Sequence, residues 1–303
     1  MKTRIIVSAV LLPIFFAVLF VFPPFVLTAV VSVICAIAAY ELLCAAKVNV
    51  HKRILVYAVI AAALVPLAVY LSLLVPAASF AISEAAGSSS HTVLRPMFSP
   101  LLFATLILSV IFVFISLLII EFVLSFKTEK QIKLRFIPIV LCAGIVIPYM
   151  LTSLISLKAM PFGHLFVLLP IIAAFLTDSG AYFVGMAIGK RKILPNISPN
   201  KTVEGFIGGI VIGVAGMMIY GIILANFTAL SVIFPALIVY GLVGAVITEF
   251  GDLVFSFVKR KCGVKDYGRL IPGHGGVLDR FDSMIFTAPA MYFLVMALPS
   301  VVY

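Results

Sequence analysis

The sequence predicts an all-α, polytopic integral membrane protein with about nine transmembrane helices, its N-terminus inside and its C-terminus outside. Three observations predict it. Of 303 residues, 64% are hydrophobic and only 11% are charged, where a soluble domain carries about 25% charged residues. The mean hydropathy is +1.30, which excludes disorder, because disorder needs low hydrophobicity. The apolar runs approach the roughly 20 residues that span a hydrocarbon core, and they do not alternate in polarity as the strands of a membrane barrel do.

The runs fall at 5–22, 25–43, 54–75, 101–126, 136–157, 165–188, 205–225, 230–257 and 281–302. Pro23-Pro24 separates the first two as a hairpin. The first run has the charged start of a signal peptide but no convincing small-residue cleavage site, so it reads as a helix. Charge tests the alternation. Lys2 and Arg4 precede the first run, and basic residues recur in segments 44–53, 127–135, 189–204 and 258–280. These segments hold 19 of the 21 cations, and the opposite side keeps Arg95 and Lys158 alone. Such a split is the positive-inside pattern. The four cysteines lack metal-ligand spacing and read as free thiols. Segment 76–100 reads as an outer loop.

The chain divides into N-terminal helices over 1–165 and a C-terminal region over 166–303 that carries the chemistry, with its site on the cytoplasmic face. Four of the eleven acids lie before residue 178, and seven lie from there on. Asp178 stands inside a span, where a carboxylate marks either a functional site or a bond to a facing helix. Glu249 and Asp252, three residues apart, share a helix face, and two like charges in low dielectric need a cation or a shared proton. Ser256–Asp282 sets six cations and three carboxylates beside a glycine-rich turn, Pro272-Gly273-His274-Gly275-Gly276, whose amides suit an anion. Asp279 and Asp282 fall on one helix face beside Arg280. Ser198–Gly205 reads as a helix start, with Lys201 placed to meet a phosphate and Glu204 to orient it; a capped helix with a local ion pair is the plain alternative. Gly205, Gly209 and Gly213 suit close helix packing. No P-loop, GxSxG or HExxH motif is present.

Cations neutralise phosphates, and carboxylates hold Mg²⁺ on them. The residues therefore point to phosphoryl or nucleotidyl transfer to a lipid. A transporter with Asp178, Glu249 and Asp252 as an ion path is the competing class, although paired repeats with broken helices are not evident. Among enzymes, a lipid kinase and a nucleotidyltransferase for a different lipid acceptor stay open.

The order Ser256-x-x-Lys259-Arg260-(four residues)-Lys265-Asp266-(five residues)-Pro272-Gly273-His274-Gly275-Gly276-x-x-Asp279-Arg280-x-Asp282 closely resembles the signature of the phosphatidate cytidylyltransferases, also called CDP-diacylglycerol synthases. Asp178–Tyr182, Ser198–Gly205 and Gly251-Asp252-Leu253 resemble further motifs of that family. The resemblance covers roughly residues 170–285. Val203 stands where the family usually has Trp, and Asn200 where it often has Lys. The resemblance implies transfer of the cytidylyl group from CTP to phosphatidate, giving CDP-diacylglycerol and pyrophosphate for phospholipid synthesis. It implies Asp252, Asp279, Lys259 and Arg280 as catalytic residues. Asp178, Lys201, Glu204, Arg260, Lys265, Asp266, His274 and Asp282 would bind substrate. Asp252 and Asp279 would hold Mg²⁺, with a second cation as a further option, and Glu249 joins them as a metal ligand on the reading of its shared face. Membrane lipids and a second copy of the chain, in a homodimer, are the expected partners, and nucleic acid is not. The expected location is a bacterial inner membrane.

Overall fold

The computed structural model describes residues 13–48, 51–85, 98–126, 132–195, 197–228, 230–271, 273 and 275–302. They form two compact units, 9–159 and 160–303. Seven helical stretches are long and apolar enough to cross a membrane, so the chain is an all-α polytopic membrane protein with a few short strands. Leu108, Phe112, Ile119 and Phe227 are among many large apolar side chains left exposed, as lipid-facing residues must be.

The first unit opens with helical residues 13–20, the part of the first expected span that is described. Pro23, extended at φ −66° and ψ 162°, caps α1 (Pro24–Ala45), and Pro24 takes its first turn. There the missing proline N–H costs nothing. Helices α2 (Lys52–Ala85) and α3 (Phe98–Ser125) follow.

The span expected over 136–157 is not one regular helix. It runs as a 3₁₀ turn, α4 (Ile137–Leu141), a π turn over Cys142–Val146, α5 (Ile147–Leu151) and α6 (Ser153–Ala159). Pro138 and Pro148 sit at the starts of α4 and α5. Each removes an intrahelical donor and crowds the preceding turn, and the backbone relaxes into a wider turn. Gly144, inside the π turn, admits the ring of Phe114: an added Cβ would lie 2.7 Å from it.

The second unit holds a short α7 (Gly163–Phe166) and then α8 (Leu168–Ile188), β1 (Lys192–Leu194), β2 (Ser198–Thr202) and α9 (Val203–Phe227). It continues with β3 (Ser231–Val232), α10 (Phe234–Cys262), α11 (Leu278–Ala297) and β4 (Val301–Val302). Gly205, Gly209 and Gly213 let α9 lie close against its neighbours, as their spacing predicts. A Cβ at Gly205 would stand 2.7 Å from the Ala181 carbonyl of α8, and one at Gly213 2.6 Å from Thr177 and 3.2 Å from Ala245 of α10.

Two expectations need correction. Ser198–Thr202 is not a helix start. It is a strand antiparallel to β1, with Lys192 opposite Thr202, Leu194 opposite Ser198 and an irregular register between them. Pro199, which suggested a helix start, lies in that irregular stretch, where a missing N–H is tolerated. The helix begins at Val203 instead, and Thr202 caps it by accepting the Gly205 amide at 3.1 Å. The span read as 230–257 is displaced toward the C-terminus, to Phe234–Cys262. Its early residues pair with β4. At its far end Lys259, Arg260 and Lys261 occupy the last turn, where cations suit the helix dipole, before Gly263 stops it at φ 73°.

Candidate active site

Helices α8, α9, α10 and α11 and the β1–β2 hairpin surround a cavity of about 620 Å³. Two lysines organise it. Lys201, at the end of β2, reaches Glu249 at 2.5 Å and Asp252 at 2.8 Å, both on α10. The three-residue spacing of the two acids is thus realised as one face meeting one cation. Lys201 does not pair with Glu204, as the plain reading of that segment has it. Burial alone would lower the Lys201 ammonium. Asp252 and Glu249 more than offset this and hold its pKa above the ordinary lysine value.

Lys259, on the last turns of α10, repeats the arrangement with Asp279 at 3.1 Å and Asp282 at 3.5 Å on α11. The loop between these helices folds back over it. The Tyr267 ring lies 5.5 Å from the Lys259 ammonium, and the Tyr267 hydroxyl donates to the Phe255 carbonyl at 3.0 Å. The amides of Tyr267 and Gly276 donate to Asp279 at 2.8 and 3.1 Å. Asp279 therefore fixes the loop as well as the lysine, from the first turn of a helix, where a carboxylate is favoured.

Asp178, exposed on α8, opens into the cavity. It accepts a hydrogen bond from the Ser283 hydroxyl on α11 at 3.1 Å, so it faces the cavity and also bonds a facing helix. Behind it, Thr287 donates to the Ser283 carbonyl at 2.9 Å, and Thr248 meets Thr287 at 2.8 Å. These buried hydroxyls tie α10 to α11 and fix the ring of acids from within. Gly251 permits the approach, since a Cβ there would stand 3.3 Å from the Asp282 carbonyl.

Of the expected site residues, Asp178, Lys201, Glu249, Asp252, Lys259, Asp266, Asp279, Arg280 and Asp282 line the cavity. Three do not. Glu204 accepts the Lys190 and Arg191 amides at 2.9 and 3.1 Å, Arg260 donates to the Ile197 carbonyl at 3.1 Å, and Lys265 is exposed away from the lining. His274 lies outside the described residues. Sequence reasoning missed Ser283, Tyr267 and Lys192. Ser283 carries no spacing signal beyond its place next to Asp282, and Lys192 was counted only as an inside charge.

The expected metal ligands do not form one group. Glu249 and Asp252 share Lys201, while Asp279 sits with Lys259. Among the described residues, no three carboxylate, His or Cys groups stand ready to hold a metal ion as placed. The donor chemistry nevertheless fits a hard cation. Six carboxylates (Asp178, Glu249, Asp252, Asp266, Asp279, Asp282) line the cavity against four cations (Lys192, Lys201, Lys259, Arg280). The buried Oε1 of Glu249 has no hydrogen-bond partner.

A cavity rich in both signs, at the ends of apolar helices, suits a substrate with several phosphates. The profile of the cytidylyltransferase family matches residues 2–298. The chain belongs to the cytidylyltransferase family. Among individual relatives, the phosphatidate cytidylyltransferase of Bacillus subtilis is 47% identical over 133 residues, which is 44% of this chain and 48% of the relative. Those of Staphylococcus saprophyticus and Staphylococcus haemolyticus are 42% and 43% identical over 129 residues, 43% of this chain and 48% of each relative. The chain spans about half the length of the curated relatives it matches. Membership in the cytidylyltransferase family agrees with the resemblance read from the Ser256–Asp282 signature.

Proposed function

We propose that the chain is a phosphatidate cytidylyltransferase: it transfers the cytidylyl group of CTP to phosphatidate and releases pyrophosphate. The observation that carries this reading is the pair of lysines, each set between two carboxylates, around a cavity inside a cytidylyltransferase-family chain. A phosphatidate oxygen attacks the α-phosphorus of CTP. The new O–P bond forms as the bond from the α-phosphorus to the bridging oxygen breaks, and that oxygen leaves on pyrophosphate with the electron pair. A phosphate monoester loses its second proton near pH 6, so the acceptor is already ionised and no protein base is needed. The task of the site is positioning and charge stabilisation.

In this reading Lys201, Lys259 and Arg280 neutralise phosphate oxygens. Asp178, Asp266 and Asp282 complete the pocket. Asp252, Asp279 and Glu249 would hold Mg²⁺, and a second cation where one binds. Held there, a hard cation would supply charge neutralisation to the phosphates against the acidic lining. Asp252 is the most open of the three, its side chain 28% exposed against 1% for Glu249 and 5% for Asp279.

We also read nine spans, N-in and C-out, in a bacterial inner membrane with the site toward the cytoplasm. The 19-to-2 distribution of cations supports the orientation. The β3–β4 pairing supports α11 as a crossing helix: it joins the segment before α10 to the segment after α11, so α11 brings the chain back to the end from which α10 sets out. A homodimer rests on the family resemblance alone, because the glycine stripe of α9 packs within the chain.

The test is to supply phosphatidate with CTP labelled at either phosphate. The α-label should enter the lipid, and only with Mg²⁺. Appearance of the γ-label in the lipid would make the protein a kinase. Ion flux in liposomes without any transfer from CTP would make it a transporter.

A further inference from the structure

We propose that Lys192 binds the triphosphate of the nucleotide, and that Glu204 and Arg260 act as positioning residues by holding the β1–β2 hairpin that carries it. The proposal rests on the reading of the cavity as a CTP site and assigns one substrate to one part of its lining.

The four cations of the lining differ in what already surrounds them. Lys201 and Lys259 each sit between two carboxylates. Arg280 lies between Asp279 and Asp282 in the chain. Lys192 is exposed and forms no ion pair among the described residues. An ammonium held by two carboxylates spends part of its attraction on them; an uncommitted one keeps its full charge for an incoming ligand. In a lining with an excess of acids, that is the cation from which a polyanion gains most.

The position of Lys192 selects the ligand. The hairpin joins the end of α8 to the start of α9, outside the membrane-crossing stretches 163–188 and 203–227. A water-soluble nucleotide arrives on that side, whereas a lipid headgroup enters from between helices.

The hairpin is fixed at both ends. At its base, Glu204 accepts two successive amides, Lys190 and Arg191, and the Val203 amide donates to the Arg191 carbonyl at 2.8 Å. Toward its turn, Arg260 of α10 donates to the Ile197 carbonyl. Glu204 and Arg260 thus reach the substrate through the hairpin, which accounts for both lying off the cavity lining.

Steady-state kinetics on the full chain in detergent micelles test this, varying CTP at saturating phosphatidate and then the reverse. Lys192→Ala should raise KM for CTP about tenfold, the worth of one charge-assisted contact. It should leave kcat within about threefold and KM for phosphatidate unchanged. Lys192→Arg should restore KM for CTP. Glu204→Gln should move KM for CTP in the same direction, and the double variant should be no worse than Lys192→Ala, because both act through one element. An unchanged KM for CTP in Lys192→Ala, or a rise confined to phosphatidate, overturns the proposal. Thermal stabilisation by CTP with Mg²⁺ separates it from the functional reading. If wild type is stabilised yet transfers nothing, the reading as a transferase fails and Lys192 is judged on the shift alone: loss in Lys192→Ala supports it, retention overturns it. Wild type that is neither stabilised nor active overturns both.

Discussion

Arg53 meets Glu121 at 3.4 Å in the unit of residues 9–159, and Lys201 meets Glu249 and Asp252 at 2.5 and 2.8 Å in the unit of residues 160–303. Both are cation–carboxylate contacts made at least in part by acids on apolar helices. Their surroundings differ. Arg53 is 72% exposed and holds one acid, which also accepts from Tyr57. Lys201 is 17% exposed and links two acids, one of them fully buried with an oxygen left unpartnered. The first contact lets a carboxylate sit in an apolar helix at low cost. The second keeps acids in place around an open cavity. A carboxylate in a membrane span that shares its cation and its cavity with others is therefore the better candidate for chemistry.

The largest effect expected from breaking this comparison is on activity. Asp252→Asn and Asp279→Asn should each lower cytidylyl transfer by at least about a hundredfold, with the protein still eluting as a folded species in detergent. Asn at Asp252 with full activity would remove that residue from the metal assignment.

Lys201→Met comes next. It leaves Glu249 and Asp252 uncompensated, and breaking a buried pair costs about 3 kcal/mol, read as a lower unfolding midpoint. The pH dependence has a defined sign. The folded-state pKa of Lys201 is raised, so its contribution is fully present below the ordinary lysine value and fades as pH rises through the folded value. The stability gap between wild type and Lys201→Met should stay flat from about pH 7 to about pH 9.

Ser283→Ala should have a smaller effect. It removes the hydroxyl that Asp178 accepts, at a cost of about 1 kcal/mol, and should lower transfer by less than Asp252→Asn does. Smallest of all is Arg53→Ala. An exposed pair contributes about 0–1 kcal/mol, so neither stability nor transfer should change measurably. A large loss of activity there would erase the contrast between the two units.

Much of this contrast was legible in the sequence because helix periodicity is local. Three-residue spacing placed Glu249 with Asp252, and Asp279 with Asp282, and each pair meets one lysine. Which lysine was not legible. Lys201 is 48 residues from Glu249, and only the hairpin brings it there; Pro199 disguised that hairpin as a helix start. Glu204 and Arg260 had the residue types of substrate ligands, and nothing in their spacing showed that backbone groups would take them. Ser283 was invisible for a related reason: a hydroxyl gains its role from the helix it faces. The broken course of residues 134–159 was hidden because hydropathy reports burial in lipid and is blind to where prolines redistribute backbone hydrogen bonds.

The most direct test of the central claim is pyrophosphate release by the purified protein, with and without phosphatidate and Mg²⁺. Release that needs both, matches CDP-diacylglycerol mole for mole and is lost in Asp252→Asn is the predicted result. Pyrophosphate released from CTP without the lipid, or phosphate released in its place, would contradict the claim.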